Sequence, residues 1–202
     1  MADDKPHGKA AIMQAVIDAA IPLIASKGVL AVSIRDIATA ANVNSALIIR
    51  HFGSKELMLN KIGDYLGDKT LRSAQDKQRS LDETWESIIT DRNLELRAMA
   101  RILLDTEPNR DLKATSAILA QARSWFQREL KLPEGQGNDS ALAVYISACL
   151  VIGSEVVGSH VLKAMGIDVA QANSLRLQAF RLVLETVARR AQESAPIGHK
   201  PK

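Results

Sequence analysis

Cysteine is almost absent from this chain, since Cys149 is the only one in 202 residues. An intramolecular disulfide is therefore impossible, and the cysteine content does not require an oxidising compartment. The first residues, Met1 to Asp4, lack the basic start and apolar run of a secretory signal. We therefore expect a cytoplasmic protein.

A long apolar run is also missing. Residues 141–152 are almost wholly apolar, but they are fewer than the roughly 20 residues that cross a bilayer. A longer segment would include Glu155, and a carboxylate is costly at the centre of a bilayer. The sequence therefore predicts a packed helix at this position and no membrane partner.

The motifs of common enzyme and metal sites are absent as well. The sequence has no Gly-x-x-x-x-Gly-Lys phosphate loop, no His-Glu-x-x-His, no Cys-x-x-Cys and no Gly-x-Ser-x-Gly. The four histidines, His7, His51, His160 and His199, are scattered along the chain. We predict no catalytic residue, no metal site and no cofactor, and an enzyme with an accessory DNA-binding motif is the less favoured alternative.

Aromatic residues make up 3% of the chain, with few glycines and prolines among abundant Ala, Leu and Ile. This composition favours an all-α protein, and 47% hydrophobic against 24% charged residues is ordinary for a globular one. The net charge of +3 permits binding to a polyanion, but the excess is too small to be evidence by itself. Evidence for binding to a polyanion must therefore come from where the charged residues lie.

Two short helices joined by a tight turn are predicted within residues 33–52. Ser33 and Asp36 have the spacing of a capping box, so a helix should begin at Ile34. Asn42 tolerates the left-handed conformation that ends one helix, and Asn44 can cap the next. Apolar residues occur at helical spacing on both sides of Asn42, as in a helix-turn-helix, whose second helix lies in the DNA major groove.

The segment after this turn makes the helix-turn-helix prediction more specific. The sequence His-Phe-Gly-Ser-Lys-Glu-Leu begins at His51 and places a glycine turn before a new helix capped by Ser54. From residue 12 to about residue 59 the chain resembles the tetracycline-repressor-type (TetR-like) family. It departs from the family pattern at Asn42, where glycine is usual, and at Ile49, where tyrosine is usual. Without that tyrosine hydroxyl, either another side chain supplies its contact with DNA, or the contact is more apolar at this position.

Val43, Ile48 and Phe52 are needed inside the helical pair, which leaves the other side chains of the second helix for DNA. Arg50 can contact guanine edges or a phosphate, and the alternative is a solvated charge. His51 is either a DNA contact or a packing residue. The resemblance implies that Arg35 reaches the groove. The predicted DNA-binding residues are Ser33, Arg35, Asn44, Ser45, Ala46, Leu47, Ile49, Arg50, His51 and Lys55.

About nine helices are expected in total, including a single helix over residues 82–104 with Leu103 and Leu104 on its inner face. We predict a flexible arm (residues 1–9), a helix-turn-helix DNA-binding domain (residues 10–60), a helical regulatory and dimerisation domain (residues 61–193) and a flexible tail (residues 194–202).

The last two helices have apolar side chains on more than one face. One small domain cannot cover them all, so a second copy across a two-fold axis is expected, although core helices of a monomer would look similar. The resembling family dimerises through these helices. The predicted interface residues are Gly153, Val157, Val161, Leu177, Phe180 and Leu184.

The resemblance also implies a small-molecule effector bound within the second domain. Mostly apolar side chains with a few polar groups suit such a site, but the same residues at helical spacing also suit an ordinary core. The candidates are Trp85, Ile89, Arg92, Leu96, Met99, Leu103, Trp125, Phe126, Tyr145 and Cys149. We therefore predict a homodimeric repressor that binds an inverted repeat in double-stranded DNA and is released by an effector; an architectural DNA-binding protein without a ligand is the alternative.

Overall fold

A computed structural model describes residues 5–74, 80–91, 93–105, 113–132 and 138–193. Over these residues the chain forms helices and no strand, which confirms the all-α prediction. The helices are α1 (Lys9–Lys27), α2 (Ile34–Ala40), α3 (Ser45–Phe52), α4 (Lys55–Ala74), α5 (Leu81–Asp91), α6 (Asn93–Asp105), α7 (Lys113–Glu129), α8 (Asp139–Ala164) and α9 (Ala172–Glu193), with a 3₁₀ turn at Val169–Gln171 before α9.

The chain divides into two compact units. The first contains Met1–Lys69 and Arg92–Leu112, and the second contains Thr70–Asp91 and Lys113–Lys202. Helix α6 thus belongs with the helix-turn-helix, although it follows residue 60, where we predicted the end of the DNA-binding domain. The predicted boundary at residue 60 separates DNA-binding residues from regulatory ones, and it stays a prediction.

Helix α1 is the centre of the first unit and packs against α2, α3 and α6. Its residues Val16, Ala20 and Ile24 are buried in one apolar cluster. Ile48 of α3 and Ile102 of α6 belong to the same cluster. The burial of these side chains supplies the main stabilising term for the unit, and it fixes the helix-turn-helix against α6.

The predicted single helix over residues 82–104 corresponds to α5 and α6, which the structure describes on either side of residue 92 and which belong to different units. Leu103 and Leu104 are 47% and 58% exposed, so their predicted inward placement is wrong.

The second unit is built from α5, α7, α8 and α9. Helix α8 packs against α7 and α9, and α5 packs against α9. Trp85 of α5 lies between two rings, with centroids 3.7 Å from Phe180 and 6.4 Å from Phe126. Arg176 of α9 donates to Glu155 of α8 at 2.8 Å, and the Glu155 side chain is 1% exposed. An aromatic cluster and a buried ion pair therefore join the helices of this unit.

Helices α7 and α8 end in the same way, with a residue in the left-handed region. At the end of α8, Gly166 has φ 71°, and Ile167 donates back to the carbonyl of Leu162 at 2.9 Å. At the end of α7, Lys131 has φ 50°, and Leu132 donates to Gln127 at 3.0 Å. This backbone pattern is the Schellman motif. The predicted end of the helix at Gly166 is confirmed.

Two described helices, α1 and α8, are long and apolar enough to cross a membrane by length and composition alone, which is weak evidence. Core helices of globular proteins pass the same test, and α1 contributes many residues to the core of the first unit. Helix α8 differs, because little of its most apolar segment is buried inside the chain.

Candidate nucleic-acid interface

A reciprocal pair of hydrogen bonds fixes the start of α2. The Asp36 backbone N–H donates to the Ser33 hydroxyl oxygen at 3.1 Å, and the Ser33 backbone N–H donates to the Asp36 carboxylate at 2.8 Å. The predicted capping box is therefore confirmed. The Ser33 hydroxyl and backbone N–H lower the pKa of the Asp36 carboxyl, and the positive charges of Lys27 and Lys55 contribute less.

The turn between α2 and α3 depends on Asn42, whose φ of 53° confirms the predicted left-handed conformation. The Asn42 N–H donates to the Thr39 carbonyl at 3.2 Å, and the Val43 N–H donates to the Ala38 carbonyl at 3.0 Å. These two bonds form a third Schellman motif, with asparagine where glycine is usual. The turn thus ends α2 sharply and sets the direction in which α3 begins.

Helix α3 begins at the predicted cap, where the Asn44 side-chain oxygen accepts from the Ala46 N–H at 2.8 Å. Ile48 and Phe52 are buried, as predicted. Leu47 is half-buried and packs against the core of the first unit, so only part of its side chain remains for DNA. Ile49 remains 46% exposed.

A glycine turn separates α3 from α4. Gly53 has φ 89°, and a Cβ at this position would lie 3.0 Å from the Leu57 side chain, so any other residue would be strained and crowded. The Leu57 N–H then donates to the Ser54 hydroxyl oxygen at 3.2 Å, which confirms Ser54 as the cap of α4. Three capped helix starts therefore lie within one short segment, at Ile34, Ser45 and Lys55.

The predicted DNA-binding residues all lie in this segment, and they differ in exposure. Arg50 is exposed on α3 and Arg35 on α2, so both guanidinium groups are available to DNA. Ser33, Asn44 and Ala46 are also exposed, whereas Ser45, Leu47, His51 and Lys55 are half-buried. The Ser33 hydroxyl already donates to the Asp36 carboxylate at 2.6 Å. Ser33 therefore acts first as a helix cap.

The contacts that hold the loop between α1 and α2 correspond to no pattern in the sequence. The Val29 N–H donates to the Asp105 carboxylate at 3.1 Å, and the Val29 carbonyl accepts from the Lys55 ammonium at 2.7 Å. Val29 and Asp105 are 76 residues apart in the chain. A contact at that separation has no short-range pattern that could have revealed it.

The described part of the amino-terminal arm lies beside the helix-turn-helix. Lys5, Pro6, His7 and Gly8 line an open cavity of about 610 Å³ together with residues 38–39, 42–44 and 47 of the helical pair. Lys5 and His7 supply polar atoms at this cavity, and Asn42 and Asn44 face the same space. Residues 1–4 of the predicted arm lie outside the described residues.

The predicted effector residues fall into both units, and Arg92 lies outside the described residues. Leu96, Met99 and Leu103 belong to the first unit, and Leu103 is exposed. In the second unit Trp85, Ile89, Trp125 and Phe126 are buried, whereas Tyr145 and Cys149 are exposed. The Trp125 and Phe126 rings meet at 4.8 Å, which extends the aromatic cluster around Trp85.

Buried polar atoms of the second unit include some without a hydrogen-bond partner among the described residues. Among these are the indole Nε1 of Trp85 and the hydroxyl oxygen of Ser147 on α8. A buried group of this kind costs on the order of 1–3 kcal/mol, so each atom can gain a bond from a ligand. Sequence reasoning missed Ser147, because a serine on an apolar helix face gives no signal of its own.

The predicted interface residues also divide into two groups. Val157 and Val161 are 52% and 48% exposed on α8, and a Cβ at Gly153 would have no atom within 4 Å. Phe180 and Leu184 are instead buried inside the second unit, which leaves little of their surface for a partner. Gly153 and Leu177 are half-buried. No group of three or more potential metal ligands occurs among the residues that the structure describes.

A family model described as bacterial regulatory proteins of the tetR family matches residues 16–62 of the chain. A similar protein is an HTH-type transcriptional repressor of Mycobacterium tuberculosis, which is 30% identical over 182 residues. The match covers 85% of this chain and 87% of that one. An HTH-type transcriptional regulator of Mycobacterium bovis matches to the same extent.

Solved structures share the fold at lower identity. A tetR-family transcriptional regulator from Streptomyces coelicolor superposes with a TM-score of 0.65 at 14% identity, covering 94% of this chain and 92% of that one. A TetR variant from Acinetobacter baumannii in complex with minocycline gives a TM-score of 0.60 at 14% identity, covering 92% and 98%.

Proposed function

Because this chain belongs to the TetR family of bacterial regulatory proteins, we propose that it acts in the cytoplasm as a homodimeric repressor, which binds an inverted-repeat operator and leaves it when a small molecule binds. The chain is a sequence-specific DNA-binding transcriptional regulator. The observation that supports its mode of action best is the turn at Asn42, because it presents the exposed face of α3 beside two other capped helix starts.

The exposed face of α3 suits the DNA major groove. Ala46 and Ile49 offer apolar contacts to thymine methyl groups, and Arg50 offers a guanidinium to guanine or phosphate. The amides at the starts of α2 and α4 favour phosphate contacts, which position the protein without reading sequence. With few polar groups on α3, we expect DNA shape and half-site spacing to contribute much of the specificity.

The exposed side of α8 supports a dimer. Tyr145 is 69% exposed, and Val157, Val161 and Met165 are also largely exposed on the same helix. Large apolar side chains exposed along one helix are typical of an interface, and a second copy of the same helix would cover them across a two-fold axis. The two copies would then place two α3 helices on successive turns of the duplex.

The aromatic cluster supports an effector site in the second unit. Trp85, Trp125, Phe126 and Phe180 supply apolar surface, and the Trp85 N–H is a buried donor that has no partner among the described residues. The buried Ser147 hydroxyl on α8, in the same unit, also has none among them. Such a combination suits a largely apolar ligand that carries a hydrogen-bond acceptor. A ligand that prefers the DNA-free conformation by about 3 kcal/mol would lower operator affinity roughly 150-fold.

Selection of bound duplexes from a random DNA pool tests the proposal, combined with the mass of the purified protein in solution. We expect an enriched inverted repeat and a mass of two chains. Absence of any enriched sequence would contradict the regulator, and a single-chain mass at micromolar concentration would contradict the dimer. A selected duplex that no compound from a library of apolar carbonyl compounds releases would favour an architectural role without effector.

A further inference from the structure

We infer that Asp105 is a positioning residue for DNA binding, which acts by holding the loop between α1 and α2 in place from α6. This inference rests on the proposed function, since it concerns the affinity of the same helix-turn-helix for its operator. Asp105 lies at the end of α6, outside the segment that touches DNA in the proposal. Its effect must therefore pass through the residues that it contacts.

A single residue, Val29, links α6 to the start of α4 through its backbone N–H and carbonyl groups. The backbone N–H of Val29 donates to Asp105 Oδ2 at 3.1 Å, and the backbone carbonyl of Val29 accepts from Lys55 Nζ at 2.7 Å. Both bonds involve a charged side chain and are partly buried, so they are stronger than bonds between neutral groups. Val29 is thus held from both sides.

Gly28 sets the backbone conformation that leads into Val29. Gly28 has φ 80°, which other residues rarely adopt, and a Cβ there would lie 3.4 Å from Asp105 Oδ2. The Val29 and Val32 side chains are buried in the core of the first unit, which limits how the loop can move. The two charged bonds and the two buried valines together fix the backbone that leads into Ser33, the cap of α2.

The loop therefore joins the two helix starts on either side of α3. Ser33 begins α2, and Lys55 is the first residue of α4. If the bond to Asp105 is lost, the Val29 peptide keeps only the bond to Lys55, and α2 can shift relative to α4. A shift of about 1 Å at positioning contacts is enough to weaken the fit of α3 in a groove.

The direction in which DNA affinity changes on replacement of Asp105 distinguishes the positioning role from a simple effect of charge. Asp105 is an anion, and removing an anion from a DNA-binding unit should strengthen its binding to a polyanion. The positioning role predicts the opposite, because the loss of the carboxylate releases the loop. If Asp105 acts only through its charge, its replacement should increase the affinity for DNA. If Asp105 positions the loop, its replacement should decrease that affinity.

The test measures operator affinity by fluorescence anisotropy for Asp105→Leu, Asp105→Asn, Lys55→Met and the double variant Asp105→Leu/Lys55→Met, at two salt concentrations. The probe is the duplex enriched by selection with the wild-type chain. Lys61→Met, which removes an exposed ammonium from the same helix as Lys55, is the matched control. Thermal melting of each variant confirms that the folded protein is being measured.

We expect Asp105→Leu to weaken binding roughly tenfold, the value of about one charged hydrogen bond. Asp105→Asn should stay within about threefold of wild type, because its amide oxygen still accepts from Val29. The double variant should lose less than the product of the two single losses, because both side chains act on the same peptide. Asp105→Leu combined with Lys61→Met should lose the full product.

Wild-type or stronger affinity in Asp105→Leu would overturn the inference, and so would independent losses in the double variant. If Asp105→Leu does not fold, Asp105→Ser, with a side chain too short to reach Val29, takes its place under the same expectations. Failure of the wild-type chain to bind any duplex would instead count against the proposed function and would be visible before any variant is made.

Discussion

Ser33 and Asp36 are joined by two hydrogen bonds at the first turn of α2: the Ser33 hydroxyl donates to the Asp36 carboxylate at 2.6 Å and accepts from the Asp36 backbone N–H at 3.1 Å. Both bonds depend on the ionised carboxylate or on the orientation that it gives to the hydroxyl. The start of α2 is therefore sensitive to the protonation of one exposed group.

This relationship predicts a dependence of stability on pH. The pKa of Asp36 is lowered in the folded protein, first by the Ser33 hydroxyl. Its contribution is therefore present above the pKa of the unfolded chain and is lost as the pH falls below about 4. Urea unfolding at pH 5 and pH 3 should show a smaller acid loss in Asp36→Asn than in wild type. Asp64→Asn on α4 is the control, and an equal acid loss in Asp36→Asn and wild type would contradict the prediction.

Replacement of Asn42 tests the left-handed turn. Asn42→Ala should destabilise the protein by about 1 kcal/mol, because alanine pays the full steric cost of a positive φ. Asn42→Gly should be neutral or slightly stabilising, since glycine adopts this conformation freely. Lys131→Gly, at the equivalent position after α7, should stabilise by a similar amount of about 1 kcal/mol. Chemical denaturation measures all three, and equal stability of the alanine and glycine variants at position 42 would refute the explanation.

Arg50 should be the single most informative DNA contact. Arg50→Ala should weaken operator binding by about 1–3 kcal/mol and relax preference at one base pair if the side chain reads a base. If it clamps a phosphate, affinity should fall for all sequences and the salt slope should decrease by about 0.9 per contact. Anisotropy titrations on operator and scrambled duplexes separate the two, with Lys61→Ala as the control. Unchanged affinity on both duplexes would remove Arg50 from the interface.

Gly153 gives a test of the dimer that leaves the single chain intact. The space around its Cβ position is open, and glycine inside a helix is about 1 kcal/mol less favourable than alanine. Gly153→Leu should therefore preserve or raise the stability of the isolated chain while it weakens association at least tenfold. Sedimentation equilibrium measures the association, and Ser124→Leu on the exposed side of α7 is the control. Normal association of Gly153→Leu would place the interface elsewhere.

The ion pair between Arg176 and Glu155 should be costly to break. Arg176→Met removes the guanidinium from the buried Glu155 carboxylate, and removal of one partner of a buried pair typically costs about 3 kcal/mol. The double variant Glu155→Leu/Arg176→Met should recover much of that loss, because it removes the buried charge as well. Urea unfolding compares the two. A loss below about 1 kcal/mol in the single variant would show that water screens this pair.

The features that sequence analysis predicted correctly depend on residues that are close together in the chain. The caps at Ser33, Asn44 and Ser54 and the turn at Asn42 each depend on residues within a few positions of one another. Propensity and capping rules describe interactions of this range. The sequence alone was therefore sufficient for the architecture of the helix-turn-helix.

The features that it missed depend on residues far apart in the chain. The Asp105–Val29 bond and the placement of Phe180 against Trp85 join elements that no local pattern connects. Phe180 was predicted at a subunit interface because its spacing marks an apolar face, yet spacing does not reveal which neighbour covers that face. The same limit explains why no local pattern reveals that α5 and α6 belong to different units.

Cys149 is exposed on α8, and it is the only thiol in the sequence. A maleimide dye or a nitroxide added to the wild-type chain therefore attaches at one known position without any mutagenesis. Every signal from the attached label then reports on the middle of α8, and each chain carries one label.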